Sequence, residues 1–125
     1  MVKILARANL FVLAFIATWP IAGFLEPFAP SYGQPITEVW LPHVVVVGVL
    51  LFAWCKAHAA ARGQIPPTYA AALAGLAWPV GVPLYLFRAL PWRSALLSSG
   101  KAILVFVFSA LLYAGGMLAA LRLAT

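Results

Sequence analysis

Residues 68–87 read TYAAALAGLAWPVGVPLYLF, and the path this stretch takes through an apolar medium decides the fold. It has 20 residues, enough as a helix to cross a hydrocarbon layer of about 30 Å. Its second half carries Pro79, Gly81 and Pro83. Proline removes a backbone N–H and collides with the preceding turn, so a straight helix is not expected there. Two readings follow. The stretch is a kinked fourth span, or it dips in and returns on the side from which it came.

The rest of the chain explains why the medium is lipid. Of its 125 residues 66% are hydrophobic and 8% are charged, with mean hydropathy +1.05. A soluble domain is about half apolar and about a quarter charged. A small domain buries only about 60–70% of its chain, so water cannot be the solvent for this one. The expected class is all-α, a single integral membrane domain over residues 1–125, because an isolated span satisfies its backbone only as a helix.

Three further apolar runs frame the first. One extends from Ala8 to Leu25 behind Lys3 and Arg7. No A-x-A cleavage pattern follows it, and it reads as an uncleaved first span. Pro20 and Gly23 are expected to kink or fray its last turn. The next runs from Pro42 to Cys55 and continues to about Arg62, where Gly63 suits a C-terminal stop. The last, Ala102 to Leu121, is uninterrupted between Lys101 and Arg122. Between the first two lies EPFAPSYGQPITEVWL, residues 26–41, with three prolines and both acids of the protein but no Lys or Arg. It reads as an extramembrane loop.

Charge counting separates the layouts. With four helices crossing, five basic residues lie on the N-terminal side and three opposite. With three crossings and a re-entrant or interfacial hairpin at 68–87, Lys3, Arg7, Lys56, Arg62, Arg88, Arg93 and Lys101 share one side and only Arg122 lies opposite. The second distribution is the one the positive-inside rule favours, with the N-terminus cytoplasmic. The length of the run favours four helices, and the shortage of protein to shield a broken helix at depth does the same. Four crossings is therefore the leading expectation, and the hairpin is the alternative.

Candidate chemistry is sparse. His43 and His58 flank the second span about 22 Å apart along a helix, too far to share a metal. Each is a candidate axial ligand for a chlorophyll-type pigment or a haem, beside the plainer reading of an interfacial polar residue. Glu26 and Glu38 read as solvated loop charges. No acid falls within an apolar run, which argues against a carrier acting alone. Cys55 is the lone cysteine and reads as a small buried residue. No catalytic or nucleotide-binding motif is present, and no enzyme, cofactor or metal is expected. The basic residues mark the ends of apolar runs rather than a patch for nucleic acid. Small residues at spacing four, Ala71 with Gly75, Gly115 with Ala119 and Gly116 with Ala120, predict close helix packing. Phe28, Tyr32 and Trp40 are candidates for docking a partner on the loop. The segment 88–101, RALPWRSALLSSGK, reads as an interfacial amphipathic stretch or a connecting loop.

From Trp54 to Arg93 the chain resembles a group of small, uncharacterised bacterial inner-membrane proteins. The resemblance rests on Trp54, Ala57, Arg62-Gly63, Pro66 or Pro67, and Pro79-x-Gly81-x-Pro83-x-Tyr85-Leu86-Phe87-Arg88. His58 stands where members of that group often carry an acid. The resemblance covers about a third of the chain; it implies a bacterial inner membrane and no catalytic role.

The functional expectation is an accessory or structural subunit. It would pack in lipid against other integral membrane subunits of a larger assembly, of photosynthetic or respiratory type. The alternatives are a pigment- or haem-binding subunit using His43 or His58, and a small homo-oligomeric carrier or channel built around the WPVGVP break.

Overall fold

The computed structural model of the chain describes residues 2–63 and 68–125. Pro66 and Pro67 of the motif above lie outside the described residues. Five helices follow in order: α1 (Val2–Leu25), α2 (Trp40–Ala61), α3 (Thr68–Leu76), α4 (Trp78–Ala89) and α5 (Trp92–Ala124), with a short 3-10 turn at Glu26–Phe28. The protein is an all-α membrane protein. Three of its helical segments, Arg7–Phe28, Trp40–Ala61 and Trp92–Ala124, are long and apolar enough to cross a bilayer.

The stretch 68–87 is not one helix. It forms α3 and α4, of 9 and 12 residues, about 14 and 18 Å long at 1.5 Å per residue and each too short to cross. The break falls at Ala77, whose φ of −129° and ψ of 56° lie outside the helical region. Its N–H still bonds the Leu73 carbonyl at 2.8 Å, and its own carbonyl accepts from Val80 and Gly81. One residue thus closes α3 and opens α4. The two helices fold back on each other so tightly that a Cβ on Gly81 would collide with the Leu73 carbonyl and the Ala74 nitrogen. Glycine at 81 is what lets the hairpin close. The architecture is three helices long and apolar enough to cross plus a helical hairpin, which is the alternative layout that the charge count favours and not the four crossings expected first.

The hairpin penetrates to mid-height. Gly75, near its tip, lies on Gly48 in the middle of α2, where a Cβ on either glycine would press on the carbonyl of the other. Trp78 packs on Phe106, midway along α5, with ring centroids 4.3 Å apart. Below the tip, Ala71, Ala74, Val82, Tyr85 and Leu86 form a core with Cys55 and Ala59 of α2 and Ala95 of α5. Cys55 has no exposure, as expected of a small packing residue.

On the other flank α1 packs against α2 and α5. At its far end Gly23 lies on the Tyr113 backbone, and Gly116 lies on Pro20 and Phe24. Ala8, at its near end, lines the same cleft as Ser99, so α1 and α5 run in one direction. Pro20 stays within α1, which continues to Leu25 rather than fraying. Gly63 ends α2 with φ of +68°, as its place after Arg62 predicts.

Two expectations about the last run need correcting. Helix α5 begins at Trp92 rather than near Ala102 and has 33 residues, so 92–101 is neither a loop nor a separate surface segment. Pro91 supplies the sharp start, and Ala95 N–H bonds its carbonyl at 2.8 Å. Ser98, Ser99 and Gly100, within the stretch 88–101, are weak helix formers. Packing overrides that propensity, because Ala95 and Ser99 lie on one buried face.

Candidate functional sites at the two ends of the bundle

At the loop end, Trp19 is the hub of an aromatic cluster. It is 5% exposed, and its indole meets His43 (4.8 Å between centroids), Phe106 (5.5 Å), Phe15 (5.8 Å) and Tyr113 (6.2 Å) edge-on. Such edge-to-face pairs add about 0.5–1.5 kcal/mol each beyond burial. His43 is buried here. The Thr18 hydroxyl donates to the Phe15 carbonyl at 2.8 Å. Its oxygen therefore accepts from His43 Nε2, 3.3 Å away, which leaves His43 Nδ1 as a lone-pair acceptor. That nitrogen has no partner, and neither do Glu26 Oε2 and Trp19 Nε1.

Glu26 corrects the reading of a solvated loop charge. It is 7% exposed and belongs to the candidate span Arg7–Phe28. It lines a cavity of about 340 Å³ with Tyr32, Trp40, Tyr113 and Met117. A buried group with no partner costs about 1–3 kcal/mol. This end therefore concentrates unmet hydrogen-bonding capacity: two acceptors, Glu26 Oε2 and His43 Nδ1, and one donor, Trp19 Nε1. It has the chemistry to hold ordered water or a small polar group.

Glu38 does behave as a surface group. Its carboxylate accepts from the Ser31 hydroxyl at 2.5 Å and from the Ser31 N–H at 3.2 Å. The Ser31 hydroxyl, followed by backbone N–H donors, holds this carboxyl below the usual value. This bridge and the Trp40 N–H to Thr37 hydroxyl bond at 3.0 Å order the loop. Of the three loop aromatics, Phe28 and Tyr32 are exposed, Tyr32 reaching Met117 Sδ at 3.9 Å. Trp40 turns inward onto Trp19, His43 and Tyr113.

At the other end, His58 stacks on Trp54 at 5.1 Å between centroids. Its Nδ1 lies 3.0 Å from the Tyr85 hydroxyl, which donates to the Cys55 carbonyl at 3.3 Å. This relay ties α2 to α4, and His58 lines a cleft of about 660 Å³ bounded by α1, α2, α4 and α5. The two histidines thus serve opposite ends of the molecule.

The small-residue pairs divide as well. Ala71 and Gly75 lie in the α2–α3 contact, and Gly116 packs on α1. Ala120 has no exposure. Gly115 and Ala119 point away from the bundle and are exposed, and a Cβ on Gly115 would meet nothing within 4 Å.

Sequence alone does not join Thr18, Trp19, Glu26 and Tyr113 into one site, nor does it place Ser99 in the cleft. Glu26 follows directly on an unbroken apolar run, and Ser99 is four residues after Ala95 and three before Ala102. Those positions are the only signals that mark them. Comparison with protein families, curated proteins and solved structures gives no match to this chain.

Proposed function

We propose that the protein is a small accessory subunit of a bacterial inner-membrane complex, with its N-terminus in the cytoplasm, and that it packs against another integral membrane subunit through the outer face of α5. The carrying observation is that Gly115 and Ala119 form an open close-approach face in line with Leu104, Phe108 and Leu111, all exposed. Only 6% of the most apolar window of α5 is buried within the chain. Lipid covers such a face without gaining from the missing side chains. A second helix gains van der Waals contact because its backbone can come close. The same spacing on the inner face, at Gly116, is how α5 already holds α1. The basic face formed by Arg62, Arg88 and Arg93 supports the cytoplasmic assignment.

The test is gentle detergent extraction of the tagged protein and identification of what stays attached. Gly115→Leu with Ala119→Leu is expected to release the attached subunit without lowering the unfolding midpoint of the isolated chain. A chain that runs as a lone monomer from native membranes, or a partner retained by the double variant, contradicts the proposal.

A further inference from the structure

The geometry points to the cleft between α1 and the hairpin as a binding site for one acyl chain of an anionic phospholipid, with its phosphate head at the basic face of the protein.

The cleft is polar at one end and apolar at the other. Asn9, Ser98 and Lys101 stand at its mouth, and Phe15, Leu51, Trp78, Val105 and Phe106 line its depth. Six residues of α1 separate Asn9 from Phe15, about 9 Å of helix rise. The polar mouth opens at the end where Arg62, Arg88 and Arg93 gather, and the floor lies at the tip of the hairpin. This gradient has the polarity and direction of the leaflet beside it. A volume of about 660 Å³ lies in the range of ligand pockets, about 300–1,000 Å³.

Ser99 adds a polar point to one wall of the cleft. It is 8% exposed, it lines the cleft, and its hydroxyl has no partner. A helical serine commonly satisfies itself on the carbonyl four residues back, as Ser109 does on Val105 at 2.8 Å. The Ser99 oxygen is itself covered, so it makes the wall polar at that level without opening into the cleft. Lys101, exposed and lining the cleft, supplies charge complementarity.

Selectivity rests on the head group. An acyl chain leaves hydrocarbon to enter hydrocarbon, so its transfer gains little beyond the van der Waals packing that an empty cleft forgoes. One Lys at an anionic surface is worth about a five-fold preference. The site therefore discriminates phosphatidylglycerol from phosphatidylcholine by roughly that factor.

Trp54 and Trp78 line the cleft and report on it. The full chain in detergent micelles is titrated with phosphatidylglycerol or phosphatidylcholine carrying brominated acyl chains, and tryptophan quenching is followed. Saturable quenching is expected, with phosphatidylglycerol acting at about one-fifth the mole fraction of phosphatidylcholine. Trp54→Phe with Trp78→Phe removes the saturable component, and Ala102→Phe, which fills the cleft, removes it too. Lys101→Gln narrows the difference between the two lipids. The proposal is overturned if quenching rises linearly with mole fraction, if both lipids saturate together in the unaltered chain, or if Lys101→Gln keeps the preference undiminished. The Lys101 variant alters an exposed position and stands even if Ala102→Phe fails to fold.

Discussion

Gly81→Ala probes the hairpin with a single methyl group. The added Cβ would stand on the Leu73 carbonyl and 2.6 Å from the Ala74 nitrogen, where ordinary contact begins at 3.4 Å. The helices must therefore part by about 0.8 Å or more. Both obstructing groups are backbone, so no rotamer change relieves them, and overpacking of this kind costs up to about 3 kcal/mol. Alanine recovers up to about 1 kcal/mol of helix propensity. The net loss is about 2 kcal/mol, roughly thirty-fold in the folding equilibrium. Unfolding by sodium dodecyl sulfate in mixed micelles, read by tryptophan emission, measures it. Gly100→Ala is the control, since a Cβ there meets nothing within 4 Å, and it gains up to about 1 kcal/mol. If Gly81→Ala proves as stable as Gly100→Ala, the two helices do not fold back at Ala77.

Neighbouring glycines on α5 provide a second comparison. Gly116→Ala presses on Pro20 and Phe24 of α1 and is expected to lower stability by about 1–3 kcal/mol in the same titration, while Gly115→Ala is neutral or stabilising. Tyr85→Phe breaks the relay from His58 to the Cys55 carbonyl. Hydrogen bonds between membrane helices average about 0.6 and reach about 1.7 kcal/mol, and a loss in that range is expected by the same method. In the loop, the depressed Glu38 carboxyl contributes order that is complete above its unfolded value, near 4.5. That order is lost as pH falls through the lower folded value. Ser31→Ala removes the largest cause, so carbon-13 NMR of the Glu38 carboxyl should show its midpoint move up toward 4.5, and an unmoved midpoint would refute the bridge.

Much of the fold is legible in the sequence because lipid leaves the backbone few choices. Apolar length locates the crossing helices, and Gly63 marks the end of α2. The charge count identifies the hairpin through Arg88, Arg93 and Lys101, although the length of residues 68–87 argues for a crossing. What resolves that conflict is Gly81, whose role depends on Leu73 and Ala74 lying opposite, a tertiary fact that no window of sequence holds. The continuation of α5 through Ser98-Ser99-Gly100 is hidden for a related reason: weak local helix propensity yields to a buried face. At the sites, the two histidines stand out by residue type, but their surroundings do not. Glu26 reads as solvated because prolines follow it, yet the short turn at Glu26–Phe28 carries it back under Trp40 and Tyr113.

The most direct measurement is the side of the membrane on which each end of α5 lies. Cys55 is replaced by alanine, and single cysteines are placed at Gly63, Arg93 and Thr125 for labelling of sealed, oriented vesicles with an impermeant maleimide. Three crossing helices and a hairpin predict that positions 63 and 93 label together and that 125 labels only from the other side. Labelling of 63 and 125 from the same face, with 93 opposite, would mean that residues 68–87 cross the membrane and would contradict the fold.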